Sequence, residues 1–299
     1  GYPEAFIAWQ ERRNGRRFDR DNLVVVPSVM QALAVVVDTF TRPGDTIGVF
    51  SPVYFPFYDT VEEQGRTVLR FPLSIQSSSE GPRYVFDFDA LRQRIGEVSM
   101  LLLCSPHNPG GRVWTAAELD ELRRIARDAG VRVVSDEIHS DLLFPESRFT
   151  PWLGDGDDAA DIALLAPSKT FNIPGLPTAW AIVPDADTRG ALKAALHARM
   201  HKLSNLLTMT AAEAAYRDGE AWLEELRPVL RRRYESVRER LATVEGVEAF
   251  AMEGTFIAWI DLRARWGLSR DDRPTPGIDR TPAASSVSRR FGEHARENG

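Results

Sequence analysis

The stretch IALLAPSKTFNIPG, residues 162–175, runs four apolar residues from Ile162 to Leu165 and then, past Ala-Pro-Ser, presents Lys169. A short apolar run closed by Pro and Gly reads as a buried strand. A lysine at the end of a buried element loses hydration, so it is kept in water or given a task. The chain around it sets the choice.

Short β-branched runs alternate with helical patterns from residue 23 onward, which predicts strand-helix-strand units and a largely parallel sheet, the α/β class. LVVV (23–26) passes at Pro27-Ser28 into VMQALAVVVDTF, where Val29, Met30, Leu33, Val37 and Phe40 recur at helical spacing. TIGVF (46–50) reads as a strand, 55–64 as a short helix and RTVLRFPL as a further strand. MLLLC (100–104) leads through a helix opened by Thr115 and Glu118, a capping-box spacing, to VRVV (131–134). IALLA (162–166) and AWAIV (179–183) follow, and residues 189–203 and 208–243 read as long helices. VEAFA and TFIAWIDL predict a second, smaller sheet. Beyond Trp266 the chain is rich in Arg, Asp, Pro and Ser, a composition that buries no core.

The 299 residues, 43% hydrophobic and 27% charged, have the make-up of a globular protein of about two domains. A net charge of -6 leaves no electrostatic footprint for nucleic acid, and no basic amphipathic stretch favours a membrane surface. No run has the length of a spanning helix, and GYPEAFIAWQERRNG reads as an amphipathic helix, not an export signal. The single Cys104 reads as a buried core thiol, which places the chain by default in a reducing cytoplasm.

Ligands of open parallel sheets bind beyond the carboxyl ends of the strands. Three strands deliver polar residues there: MLLLC is followed by SPHNPGG with Asn108, VRVVSDEIHSD offers Asp136 and His139, and IALLAPSK offers Lys169. Taken singly, each has an ordinary reading as a rim charge, a cap or turn chemistry. Together they are the parts that hold pyridoxal phosphate: an amine for a Schiff base, an anion for the pyridine nitrogen and an amide for the ring oxygen.

The motifs SPHNPGGRVWT, VVSDEIHSD and SKTFNIPG, supported by PSVMQAL, SPVYFPFY and TFIAWIDLR, resemble the fold-type I pyridoxal-phosphate enzymes of aminotransferase class I and II. Within them the chain is similar to the cystathionine β-lyase-like carbon-sulfur lyases over about residues 1–265. The resemblance implies a three-layer α/β/α fold with a mixed, mostly parallel sheet. It implies a large cofactor-binding domain over 1–218, a connecting helix and partial small α+β domain over 219–266, and an atypical tail over 267–299. It implies that Lys169 bonds the cofactor aldehyde, Asp136 pairs with the ring nitrogen, Asn108 bonds the ring oxygen and Tyr54 stacks on the ring. Ser28, Val29 and Met30 match the phosphate cradle at a helix start, where free N–H groups attract an anion, and Ser168 adds a hydroxyl. His139 stands where many aminotransferases carry Tyr, and this, with Trp114 and KTFNIPG, favours the lyase branch.

The implied reaction is β-elimination from an amino-acid substrate such as cystathionine, in a homodimer. An aminotransferase, and a truncated homologue that binds cofactor or a partner without turnover, are the alternatives. Other chemistries have weaker support. His197 and His201 stand at i, i+4 without the Glu of a zinc hydrolase, and Asp136, Glu137, His139 and Asp141 would split between strand faces. No G-x-S-x-G or P-loop occurs. Three departures from the family are visible. Ala166 replaces a hydroxyl residue that contacts phosphate, and NPGG replaces NPTG, adding backbone freedom. The family has a segment before Gly1-Tyr2 and a C-terminal arginine for the substrate carboxylate. Here FGEH (291–294) resembles the motif preceding that arginine, and no arginine is assigned.

Overall fold

Apolar residues spaced by two along the strands decide how the layers stack. The described residues, 1–154, 160–201 and 205–266 of a computed structural model, begin with α1 (Tyr2–Asn14), β1 (Leu23–Val26), α2 (Val29–Phe40), β2 (Thr46–Ser51), α3 (Pro56–Glu62) and β3 (Thr67–Pro72). A hairpin of β4 (Ser74–Ser78) and β5 (Gly81–Val85) leads to α4 (Phe88–Arg94), β6 (Met100–Cys104), α5 (Ala116–Asp128) and β7 (Arg132–Asp136). Then come β8 (Ile162–Leu165), the one-turn α6 (Pro167–Thr170), β9 (Ala179–Ile182) and α7 (Ala186–Ala198). The series ends with α8 (Leu206–Asp218), α9 (Glu220–Leu241), β10 (Glu248–Ala249) and β11 (Ile260–Asp261).

Seven strands form one sheet in the order β1-β9-β8-β7-β6-β2-β3. Within it β9 runs against both neighbours, and the other pairings are parallel. The expected mixed, mostly parallel sheet is therefore present. Alternation splits each strand between two cores. Leu101, Leu103, Val133, Ala163 and Leu165 pack with Phe6 and Trp9 of α1, Leu119 and Leu122 of α5 and Tyr216 of α8. Met100, Leu102, Val134, Ile162 and Leu164 pack with Val36 of α2, Phe57 of α3 and Leu192 of α7. Three layers, α/β/α, result. Cys104 is buried as expected.

Several local expectations need correction. The helix expected over 208–243 is two helices, α8 and α9, joined at Gly219. A Cβ there would stand 2.5 Å from both the Ala215 carbonyl oxygen and a Phe171 ring carbon, so the joint admits the ring only because Gly has no side chain. The helix expected over 189–203 ends at Ala198, and Met200 follows with φ of 60°. His197 and His201 therefore do not share a helix face. TFIAWIDL contributes only Ile260 and Asp261 to the small two-stranded sheet, with Glu248 and Ala249 opposite. Its first half is instead tied to loops: Thr255 N–H donates to the Leu142 carbonyl at 2.6 Å. The hairpin β4–β5 was not foreseen, because serines on the exposed β4 hide its alternation. The tail 267–299, with FGEH, lies outside the described residues, as do 202–204.

The expected capping box exists. Thr115 Oγ1 accepts from Glu118 N–H at 3.2 Å, and Glu118 Oε2 accepts from Thr115 N–H at 2.8 Å. Thr115→Ala is predicted to lower unfolding free energy by about 1 kcal/mol, read as a lower urea midpoint with unchanged slope.

Candidate active site

The strands β1, β2, β6, β7 and β8 all end on one edge of the sheet, so the loops after them converge. The nine residues singled out from sequence follow these five strands, and all nine line one cavity of about 250 Å³. Ser28, Val29 and Met30 come after β1, Tyr54 after β2, and Asn108 after β6. Asp136 and His139 come at and after β7, and Ser168 and Lys169 after β8.

Asp136 is the last residue of β7 and is 6% exposed. Its one side-chain hydrogen bond among the described residues is from Ile138 N–H to Oδ1, at 3.0 Å. Burial pushes its pKa up from 3.8 to about 7; the charge of Glu137 adds to this, while the Ile138 N–H and Lys169 oppose it. The carboxylate is thus poised to take a cation or a proton.

Lys169 sits on α6, a single turn begun by Pro167 and closed by Phe171 N–H donating to the Pro167 carbonyl at 2.9 Å. Its amine has no hydrogen-bond or ion-pair partner among the described residues. His139 is buried, and its Nδ1 lacks a hydrogen-bond partner among the described residues. Burial and the nearby Lys169 push its pKa down to about 4, so its ring is neutral at neutral pH.

Asn108 is fixed through the backbone: its N–H points at Cys104 Sγ at 3.4 Å and its carbonyl accepts from Tyr54 N–H at 3.0 Å. The amide and the aromatic expected to stack are therefore one unit. The NPGG departure has a packing cause that sequence did not reveal. A Cβ on Gly110 would stand 2.5 Å from a Tyr84 ring carbon and 2.9 Å from His107 Nδ1, so the substitution fills a tight contact.

Ser28 caps α2, its Oγ accepting from Gln31 N–H at 3.2 Å. The first-turn N–H groups of Val29 and Met30 have no partner inside the helix and border the cavity, an arrangement that attracts an anion. Sequence reasoning missed Thr178, Phe256 and Ile257 as wall residues. Thr178 precedes β9, and only the reversed direction of that strand, which no local pattern encodes, brings it to this edge. Phe256 is 50% exposed and lies edge-on to His139 with centroids 5.6 Å apart.

The sheet and cavity together define a doubly wound α/β protein whose site lies at the carboxyl ends of the parallel strands. Residues 3–286 match the family model described as aminotransferase class I and II, and the chain belongs to that family. It is 37% identical over 271 residues to cystathionine beta-lyase PatB of Bacillus subtilis, covering 89% of this chain and 69% of that protein. It is 32% identical over 265 residues to protein MalY of Escherichia coli, covering 87% of this chain and 66% of that protein. The chain thus spans about two thirds of the length of these relatives. Among solved structures, cystalysin from Treponema denticola, which contains a pyridoxal 5'-phosphate cofactor, superposes with a TM-score of 0.83 at 29% identity. That match covers 89% of this chain and 68% of the other.

The raised Asp136 gives a signed pH dependence. Its folded pKa lies above the unfolded 3.8, so its contribution to stability is full below 3.8 and is lost as pH rises toward about 7. Between about pH 5 and about pH 7.5, ligand-free Asp136→Asn is predicted to gain stability relative to the parent chain. Urea unfolding at the two pH values checks this; a constant difference contradicts it.

Proposed function

We propose that this chain is a pyridoxal-phosphate-dependent carbon-sulfur β-lyase that cleaves cystathionine or another S-substituted cysteine to a thiol, pyruvate and ammonia. The observation that carries the reading is the meeting of Lys169, Asp136 and Asn108, from the ends of three adjacent strands, in one cavity. The names of the relatives support it.

The residues fit the cofactor. A desolvated carboxylate with a raised pKa suits a protonated ring nitrogen, an amine without a partner suits an aldehyde, and a helix start beside Ser28 and Ser168 suits a phosphate. Asn108 and His139, which line the cavity, would bond the ring oxygen, and Tyr54 would stack on the ring face. When bound, pyridoxal phosphate supplies an electron sink for the charge left at the substrate α-carbon.

The side chains do the rest. Lys169 would hold the cofactor through its amine, and that amine, when free, would accept the α-proton of the substrate. The Cβ–S bond breaks with its electron pair on sulfur, so a thiolate leaves. Water completes the balance by releasing the remaining three carbons as pyruvate and the nitrogen as ammonia. Asp136 would pair with the protonated ring nitrogen and so fix the orientation of the ring.

The wider reading follows the family. We place a cofactor-binding domain over 1–218 and a smaller unit over 219–266, in a cytoplasmic homodimer. Leu206 and Leu207, adjacent at the start of α8 and 74% and 76% accessible, support an apolar contact with a second copy. No helix among the described residues is long and apolar enough to cross a membrane.

Incubation with cystathionine and pyridoxal phosphate is predicted to release pyruvate and a thiol, and Lys169→Ala to lower the rate by about a thousandfold or more. Amino-acid formation only when a 2-oxo acid is added would support an aminotransferase instead. A visible cofactor band without turnover would support a binding-only homologue. Sedimentation is predicted to give a dimer that the double change Leu206→Glu with Leu207→Glu converts to monomer.

A further inference from the structure

Lys169 is carried on a turn of four residues, too short to be held by a helical ladder. Its neighbour Thr170 is 1% exposed and donates through Oγ1 to Asp141 Oδ2 at 3.0 Å. Asp141 is itself buried and accepts Trp9 Nε1 at 3.1 Å, while Arg13 Nε approaches Oδ1 to 3.5 Å. One carboxylate thus joins three parts of the chain: α1, the loop that carries His139, and the turn that carries Lys169. None of this is required by burial of apolar surface. A Val at 170 would fill the same volume without placing a hydroxyl against a buried acid.

We propose that Asp141 and Thr170 are positioning residues for Lys169, transmitting the fixed position of α1 to the reactive amine. The inference rests on the proposed function, since it concerns the role of Lys169. A hydroxyl-to-carboxylate bond inside the core is strong and directional. It fixes Thr170, and with it the backbone from which the adjacent lysine extends. Small displacements of a reacting amine are costly because bond formation depends on distance and alignment.

The test uses the full chain, with the isosteric Thr170→Val, the hydroxyl-retaining Thr170→Ser and Asp141→Asn. Two readouts are followed: the absorbance-monitored rate at which added pyridoxal phosphate becomes bonded to Lys169, and kcat and KM for pyruvate release. Thr170→Val is expected to slow both loading and kcat by about tenfold or more with KM changed less than about threefold. Thr170→Ser is expected to restore both to within about threefold. Val-variant protein that is folded and loads and turns over like the parent overturns the proposal, as does a Ser variant no better than the Val variant. Should Thr170→Val fail to fold, Asp141→Asn decides by the same two readouts, parental behaviour again being the contrary result. A parent chain that never bonds pyridoxal phosphate sinks the proposed function itself; one that loads but releases no pyruvate still tests the positioning role through loading.

Discussion

Three acids within six residues, Asp136, Glu137 and Asp141, are buried where β7 turns into its loop. A buried charge without a partner is unstable, so the arrangement around them is constrained. Glu137 receives Arg16 at 2.7 Å, both side chains being essentially inaccessible, and also accepts from Trp152 N–H at 2.7 Å. Gly15, at φ of 63°, ends α1 in the left-handed region and turns the chain so that Arg16 enters the core. Asp141 receives Trp9, Arg13 and Thr170. Among the described residues, Asp136 receives a single hydrogen bond, from a backbone N–H, and the field of Lys169. Two of the three acids are compensated by the N-terminal helix and the segment after it; the third is left to the cavity. That imbalance leaves a buried carboxyl group lining the cavity beside the Lys169 amine.

A second set of contacts closes the other side. Arg112 is fully buried and bonds Glu118 of α5, Glu253 and the Tyr84 carbonyl, while its guanidinium lies over Trp114. Glu253 also accepts from Val113 N–H at 2.8 Å, and its own N–H donates to the Gly111 carbonyl at 2.8 Å. The loop carrying Asn108 and the segment leading to Phe256 are therefore clamped to each other. Thr255 lies between them at φ of 68°, a conformation costly for a β-branched residue, about 1–3 kcal/mol. It is held by its N–H bond to Leu142 and by complete burial.

Much of this was legible because it is local. Four-residue apolar runs, the Thr115–Glu118 spacing and the alternation of strands with helices specify the layers, and polar residues placed just past strand ends specify the rim. Lys169, Asp136 and Asn108 were found that way. Features that depend on strand order were not legible. Thr178 faces the cavity because β9 is reversed, and Phe256 because its segment leaves the small sheet for the loops at 111 and 142. Gly110 and Gly219 look permissive in sequence but are required by rings, Tyr84 and Phe171, that are distant along the chain. Asp141 stands in a run of polar residues with Asp136, Glu137 and His139. Its partners come from α1 and α6, which are distant along the chain.

The cavity consequently has two unlike sides. On the floor, Asp136 and the turn bearing Lys169 are anchored in the core through strands, Ile138 and Asp141, so their positions are set by packing and buried hydrogen bonds. At the mouth, Tyr54 and Phe256 are 39% and 50% exposed, and Pro174 and Pro177 are exposed as well. Their backbones are fixed, Tyr54 by Asn108 and Phe256 by the strained Thr255, but their rings are not enclosed. Chemistry common to the family needs the floor to be the same for every substrate, whereas choice among side chains needs only the mouth to differ. The physical separation of buried charge from half-exposed aromatic surface lets one vary without disturbing the other.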